Sequence, residues 1–133
     1  MPVSELVLIR HGESMGNAAA AAANAANAEV IVIDLRDADV PLSPVGVQQA
    51  EALSMGLGPL TSDGRPYLLW SSPYARAVQT AEVSLARLGI VERIAVDERL
   101  RDRELGVLDL LTTRGVAARY PVEAQRRAWL GKF

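Results

Sequence analysis

A chain of 133 residues, 50% hydrophobic and 23% charged with a net charge of −2, is long enough to bury a core and lacks the basic surplus that a nucleic-acid backbone attracts. No apolar run reaches the roughly 20 residues that span a bilayer, and the acids and early polar cluster of the N-terminus do not make a signal peptide. The absence of cysteine excludes a disulfide framework and a thiolate metal site, and the abundance of alanine and arginine over a single lysine, Lys132, suits a cytoplasmic bacterial protein.

In chain order, Leu6 to Ile9 reads as a short strand of the buried type. The stretch 18–28, "AAAAAANAANA", favours helix by propensity but offers little to pack with, so it is a solvent-facing helix or a loop. "VIVID" (30–34) has strand composition, although the charges that follow suggest a connection. Next comes "SPVGVQQAEALSMGLGPL", where Ser43 is a natural N-cap and Pro44 takes the first helical position. Val45, Ala52 and Leu53 recur at helical spacing, and Gly56 to Pro59 should end that helix.

"YLLWSS" (67–72) predicts a second strand and "RIAV" (93–96) a third. Between them, Ser72 and Pro73 repeat the cap-and-proline device, Ala77, Thr80, Ala81, Leu85 and Leu88 form a stripe, and Gly89 closes the helix. The last 23 residues read as one or two helices broken at Pro121. Strands alternating with helices imply right-handed crossovers, hence an α/β fold with a mainly parallel sheet of at least three strands and flanking helices. No repeat and no linker divides the chain.

The chemistry concentrates in "LVLIRHGESMGN" (6–17), which contains His11, the single histidine. Ligands of open α/β sheets bind beyond the carboxyl ends of the strands, and a strand ending at Ile9 puts Arg10 and His11 there. Gly12 lets the backbone approach a ligand with no Cβ in the way. An imidazole can attack phosphorus where cations hold the phosphoryl oxygens, and an arginine fork suits those oxygens. Taken alone, a histidine at a strand end is more often a hydrogen-bonded structural residue.

The neighbouring segments extend the pattern. "RHGES" with Asn17, "PLSPVGVQQA" (41–50), "SSPYARAVQTA" (71–81) and "LRDRELG" (100–106) occur in that order. Together they resemble the N-terminal signature, the Leu-Ser-x-x-Gly-x-x-Gln-Ala helix start, the Ser-Ser-Pro-x-x-Arg-x-x-Gln-Thr-Ala segment and the Leu-x-Glu-x-x-x-Gly element of the histidine phosphatase superfamily, the phosphoglycerate mutase-like proteins.

The resemblance implies a phosphomonoester hydrolase in which His11 attacks phosphorus and becomes a phosphohistidine. Phosphoglycerate mutase-type transfer and a non-catalytic phosphate-binding fragment are the other readings. Arg10 and Arg76 would grip the phosphoryl group, Asn17 would hydrogen-bond it, Ser14 would line the substrate side, and Arg103 would contact substrate. Ser43, Gln49, Ser72 and Thr80 read as caps and packing positions, and Arg99 and Arg101 as solvated charges.

The acid that protonates the leaving alkoxide falls by register on Asp102, where the family has a glutamate; Glu104 is the rival. The family also uses a second histidine on a C-terminal strand, and this chain has none. The implied organisation is one phosphoglycerate mutase-like domain over residues 1–133, truncated at its C-terminus. The implied partners are a small phosphorylated substrate or phosphate ion, with an oligomer or a complementing C-terminal segment, and neither nucleic acid nor membrane. No cofactor or metal is called for, since His11 has no neighbour at ligand spacing.

Overall fold

The computed structural model describes residues 3 and 5–131. Its framework is a short parallel pair, β1 (Trp70–Ser71) and β2 (Ala95–Val96), joined by helix α1, Ala75–Arg87. Trp70 lies opposite Ala95 and Ser71 opposite Val96, and the Ala95 and Asp97 amides donate to the Leu69 and Ser71 carbonyls at 2.8 and 3.0 Å. Parallel neighbours need a crossover, and α1 supplies it. Four further helices flank this unit among the described residues: α2 (Met15–Ala25), α3 (Pro44–Ser62), α4 (Thr113–Arg119) and α5 (Pro121–Leu130). The fold is mixed α/β with a parallel sheet.

The crossover helix α1 packs along α3. Small buried residues, Ala50 on α3 and Thr80 and Ser84 on α1, keep both helices narrow there, while Val40, Leu42, Tyr74 and Leu85 fill the surrounding core. Ala23 on α2, Leu108, and Val116 on α4 are buried as well, and the segment after α2 is tied to the start of α4. There the Thr112 hydroxyl donates to the Ala28 carbonyl at 2.7 Å, and a Cβ on Gly115 would run into the Glu29 carbonyl. None of the described helices is long and apolar enough to cross a membrane.

Several local expectations need correcting. Leu6–Ile9 joins no ladder, so the described sheet has two strands rather than three; its β-prone residues find no adjacent strand to bond with. "VIVID" contributes only an isolated antiparallel bridge from Val30 to Leu111. Ser43 does cap α3, accepting from the Gly46 amide at 3.1 Å, but that helix runs through Pro59 to Ser62. Proline removes one N–H there, and the turns on either side continue the helix. Ser72 is not the cap of α1, because Tyr74 occupies that position and the Ser72 hydroxyl only receives the Tyr74 amide at 3.4 Å. The alanine-rich stretch lies largely in α2, and Pro121 separates α4 from α5.

Candidate active site

The segment from Arg10 to Ser14 is a loop fastened on both sides by helices. From α1, the Thr80 hydroxyl accepts the Gly12 N–H at 3.1 Å and donates to the Arg76 carbonyl one turn earlier at 2.7 Å. From α3, the Gln49 side-chain oxygen accepts the Glu13 N–H at 2.7 Å, and the Ser43 amide donates to the Glu13 carbonyl at 2.9 Å. The Ser43 hydroxyl also donates to the Glu13 carboxylate. Gln49 and Thr80 thus hold the loop that carries His11, and Glu13 is a fastening point that the sequence did not single out.

Arg10, His11, Gly12, Glu13, Asn17 and Gln49 line an open cleft of about 280 Å³. Arg10 is exposed beside the cleft. The His11 Nδ1 lies 2.6 Å from the Gly12 carbonyl oxygen. A carbonyl can only accept, so Nδ1 carries the hydrogen in this contact and a neutral ring then keeps its lone pair on Nε2.

Ser14 and Asn17 form a reciprocal capping box at the start of α2. The Ser14 hydroxyl accepts the Asn17 amide at 3.1 Å, and Asn17 Oδ1 accepts the Ser14 amide at 3.0 Å. Ser14 is buried, and its hydroxyl is engaged with the helix. Asn17 keeps its NH2 group for other partners, because the box uses only its oxygen.

Arg76 sits apart from this cleft lining, in a second cluster. Its side chain is 7% exposed, lies over the Tyr74 ring at 4.7 Å and is met by two aspartates. Nη1 donates to the Asp37 carbonyl at 2.6 Å and to Asp37 Oδ1 at 3.0 Å, while Nη2 faces Asp102 Oδ2 at 3.5 Å. A buried guanidinium needs such partners. The structure therefore joins Arg76 with Asp102, joins Arg10, His11 and Asn17, and links the two groups through Thr80.

Asp102 is 62% exposed, and its other oxygen accepts the Arg103 amide at 2.8 Å. Arg103 is exposed, whereas Glu104 pairs with Arg101 at 3.1 Å. Arg101 does more than face solvent, since its guanidinium also lies 6.0 Å from the Tyr74 ring. Asp37 went unnoticed in the sequence because its partner is 39 residues away and "LRDAD" has only the composition of a connection. No group of three or more His, Cys, Asp or Glu side chains among the described residues could hold a metal ion.

Residues 6–131 match the family model of the histidine phosphatase superfamily, branch 1. No curated protein sequence matches. Among solved structures, a mycobacterial glucosyl-3-phosphoglycerate phosphatase with VO3 is 31% identical at a TM-score of 0.63, covering 90% of this chain and 50% of that one. A phosphoserine phosphatase from Entamoeba histolytica in complex with 3-phosphoglyceric acid is 20% identical at a TM-score of 0.61, over 92% of this chain and 52% of that one. The latter likeness is one of fold. The chain spans about half the length of the solved structures it matches.

Proposed function

Because the chain belongs to the histidine phosphatase superfamily, branch 1, we propose that its cleft hydrolyses phosphomonoesters through a phosphohistidine on His11. The observation that carries this reading is the His11–Gly12 contact, which directs the imidazole lone pair to Nε2. Nε2 attacks phosphorus, the P–O bond to the alcohol breaks, and the departing alkoxide takes a proton from Asp102. Water then gives a proton to the Asp102 carboxylate as its oxygen attacks phosphorus, and the N–P bond breaks, releasing phosphate and regenerating the neutral ring and the protonated acid.

Arg10 and Arg76 offset the charge on the phosphoryl oxygens, and the Asn17 amide donates a further hydrogen bond. Ser14 fixes Asn17 through the capping box, and Arg103 contacts the organic part of the substrate. The 31% identical mycobacterial relative, called a phosphatase, was solved with VO3 and with inorganic phosphate, and this supports an oxyanion site in the family. The proposed ligands are therefore a small phosphomonoester and phosphate ion, and residues 1–133 belong to a single domain.

A non-catalytic phosphate-binding role is the second reading, favoured by one observation: the Arg76 guanidinium is already shared between Asp37 and Asp102. Rapid quenching of the protein with a chromogenic aryl phosphate, in the presence of chelator, separates the two. An acid-labile phosphoryl group that appears on the wild type and disappears in His11→Ala supports the hydrolase. Vanadate binding without any phosphoryl-enzyme overturns it in favour of the binding role. An aryl phosphate turned over by His11→Ala at the wild-type rate overturns the histidine mechanism itself.

A further inference from the structure

We propose that Asp37 is a positioning residue for the reaction, holding the Arg76 guanidinium by one edge so that the opposite edge is presented to the phosphoryl group. The inference rests on the assignment of Arg76 to the anion site and adds the residue that orients it.

A guanidinium offers five N–H bonds in a rigid plane. Asp37 takes both hydrogens of Nη1, one with its main-chain carbonyl at 2.6 Å and one with Oδ1 at 3.0 Å. Its second carboxylate oxygen reaches Nη2 at 3.4 Å, a marginal contact. Among the described residues the side-on fork formed by Nε and Nη2 has only weak contacts, both at Nη2: Asp37 Oδ2 at 3.4 Å and Asp102 Oδ2 at 3.5 Å. That fork matches two oxygens of a tetrahedral oxyanion. The Tyr74 ring beneath the guanidinium, at 4.7 Å, restricts tilt, so the Asp37 bonds fix rotation within the plane.

Asp37 is itself held firmly. It opens the 3-10 turn Asp37–Asp39, whose closing Val40 is buried and donates its amide to the same Asp37 carbonyl at 3.3 Å. Arg36 and Asp39 pair across the turn at its exposed surface, at 2.6 Å. An oxygen pair on a short, anchored turn is a rigid support for a long side chain that otherwise has several rotamers to choose from.

A plain structural partner and an orienting one differ in what they do to anion binding. Vanadate titrations and thermal melts of Asp37→Ala, Asp37→Asn and Arg76→Ala, with the double variant, tell them apart. Orientation predicts that Asp37→Ala weakens vanadate binding on the order of 10-fold, as loss of alignment does. Asp37→Asn keeps an acceptor for Nη1 and should stay within about threefold of wild type. In the Arg76→Ala background Asp37→Ala should have no further effect on affinity.

If Asp37→Ala lowers the melting temperature but leaves vanadate affinity unchanged, Asp37 is only a stabilising partner and the proposal fails. Tighter binding in Asp37→Ala also overturns it, because the carboxylate would then be a competitor of the anion. If Arg76→Ala itself binds vanadate like the wild type, Arg76 is not in the anion site and the proposal falls with that assignment, a pattern distinguishable from a failure confined to Asp37.

Discussion

Gly46 and Glu13 touch main chain to main chain: a Cβ built on Gly46 would collide with the Glu13 carbonyl oxygen and stand only 3.0 Å from its nitrogen. The approach is reciprocal one residue earlier, where a Cβ on Gly12 would lie 2.5 Å from the Gly46 carbonyl oxygen. Two glycines thus let the histidine loop rest directly on the first turn of α3. Gly46→Ala should force the pieces apart, destabilising the fold by about 1–3 kcal/mol as overpacking does. Denaturant unfolding of the variant measures the loss, and an unchanged midpoint would show that the loop yields freely.

Thr80 offers a second handle on the same loop. Its hydroxyl is the acceptor for the buried Gly12 N–H, so Thr80→Val leaves that donor unpaired at nearly constant volume. The expected destabilisation is about 1–3 kcal/mol, with Thr80→Ser recovering most of it. The resonances of His11 should shift in the valine variant and return in the serine one. Equal stability of Thr80→Val and wild type would mean that water replaces the bond.

Exposed apolar residues predict self-association. Leu6, Val7, Leu8 and Ile9 are 76%, 48%, 85% and 47% exposed, alternating with the period of an extended chain that none of the described residues covers. Sedimentation should show concentration-dependent oligomers, reduced by Leu8→Lys, a charge of the kind that blunts edges. Because Leu8 buries so little, that variant should melt at the wild-type temperature. A strictly monomeric wild type at high concentration would contradict the expectation.

Asp97 gives a pH signature. The Arg99 side chain and amide hold its carboxyl down from the ordinary 3.8 to about 2. A depressed folded value means the contribution is present above pH 3.8 and lost as the pH falls through about 2. The stability gap between wild type and Asp97→Asn should therefore be full at pH 5, mostly lost by pH 2 and gone by about pH 1, read from denaturant midpoints at each pH. A gap that widens on acidification would reverse the sign.

Local signals made the helices and half the site legible. Ser43 and Pro44 announce α3 within two residues, and Pro121 marks the break between α4 and α5, because caps and prolines act on their own backbone. Arg10, His11 and Asn17 fall within one short segment, so their shared cleft follows from adjacency. The features that escaped depend on distant partners. Leu6–Ile9 has strand composition, but a ladder needs a second chain segment alongside, and composition cannot supply one. The pairing of Arg76 with Asp37 crosses 39 residues and leaves no periodic trace. Tyr74 displaces Ser72 as the cap of α1 because a bend at residues 73 and 74 separates β1 from the first helical residue, Ala75.

The attachment of α4 also determines how this molecule is assembled in time. Thr112 reaches back to Ala28 and Glu29 over separations of 84 and 83 residues, and Arg119 reaches Glu29 over 90. Closing so long a loop carries an entropic cost that only the finished contacts repay, so these bonds should form late on the folding route, with Thr112→Ala speeding unfolding and leaving the folding rate almost unchanged. Contacts formed late are mostly absent from the transition state, and strengthening them slows unfolding while leaving the folding rate almost unchanged. The close approach of Gly115 to Glu29 thus acts as a latch, governing how long the folded state survives more than how quickly it is reached.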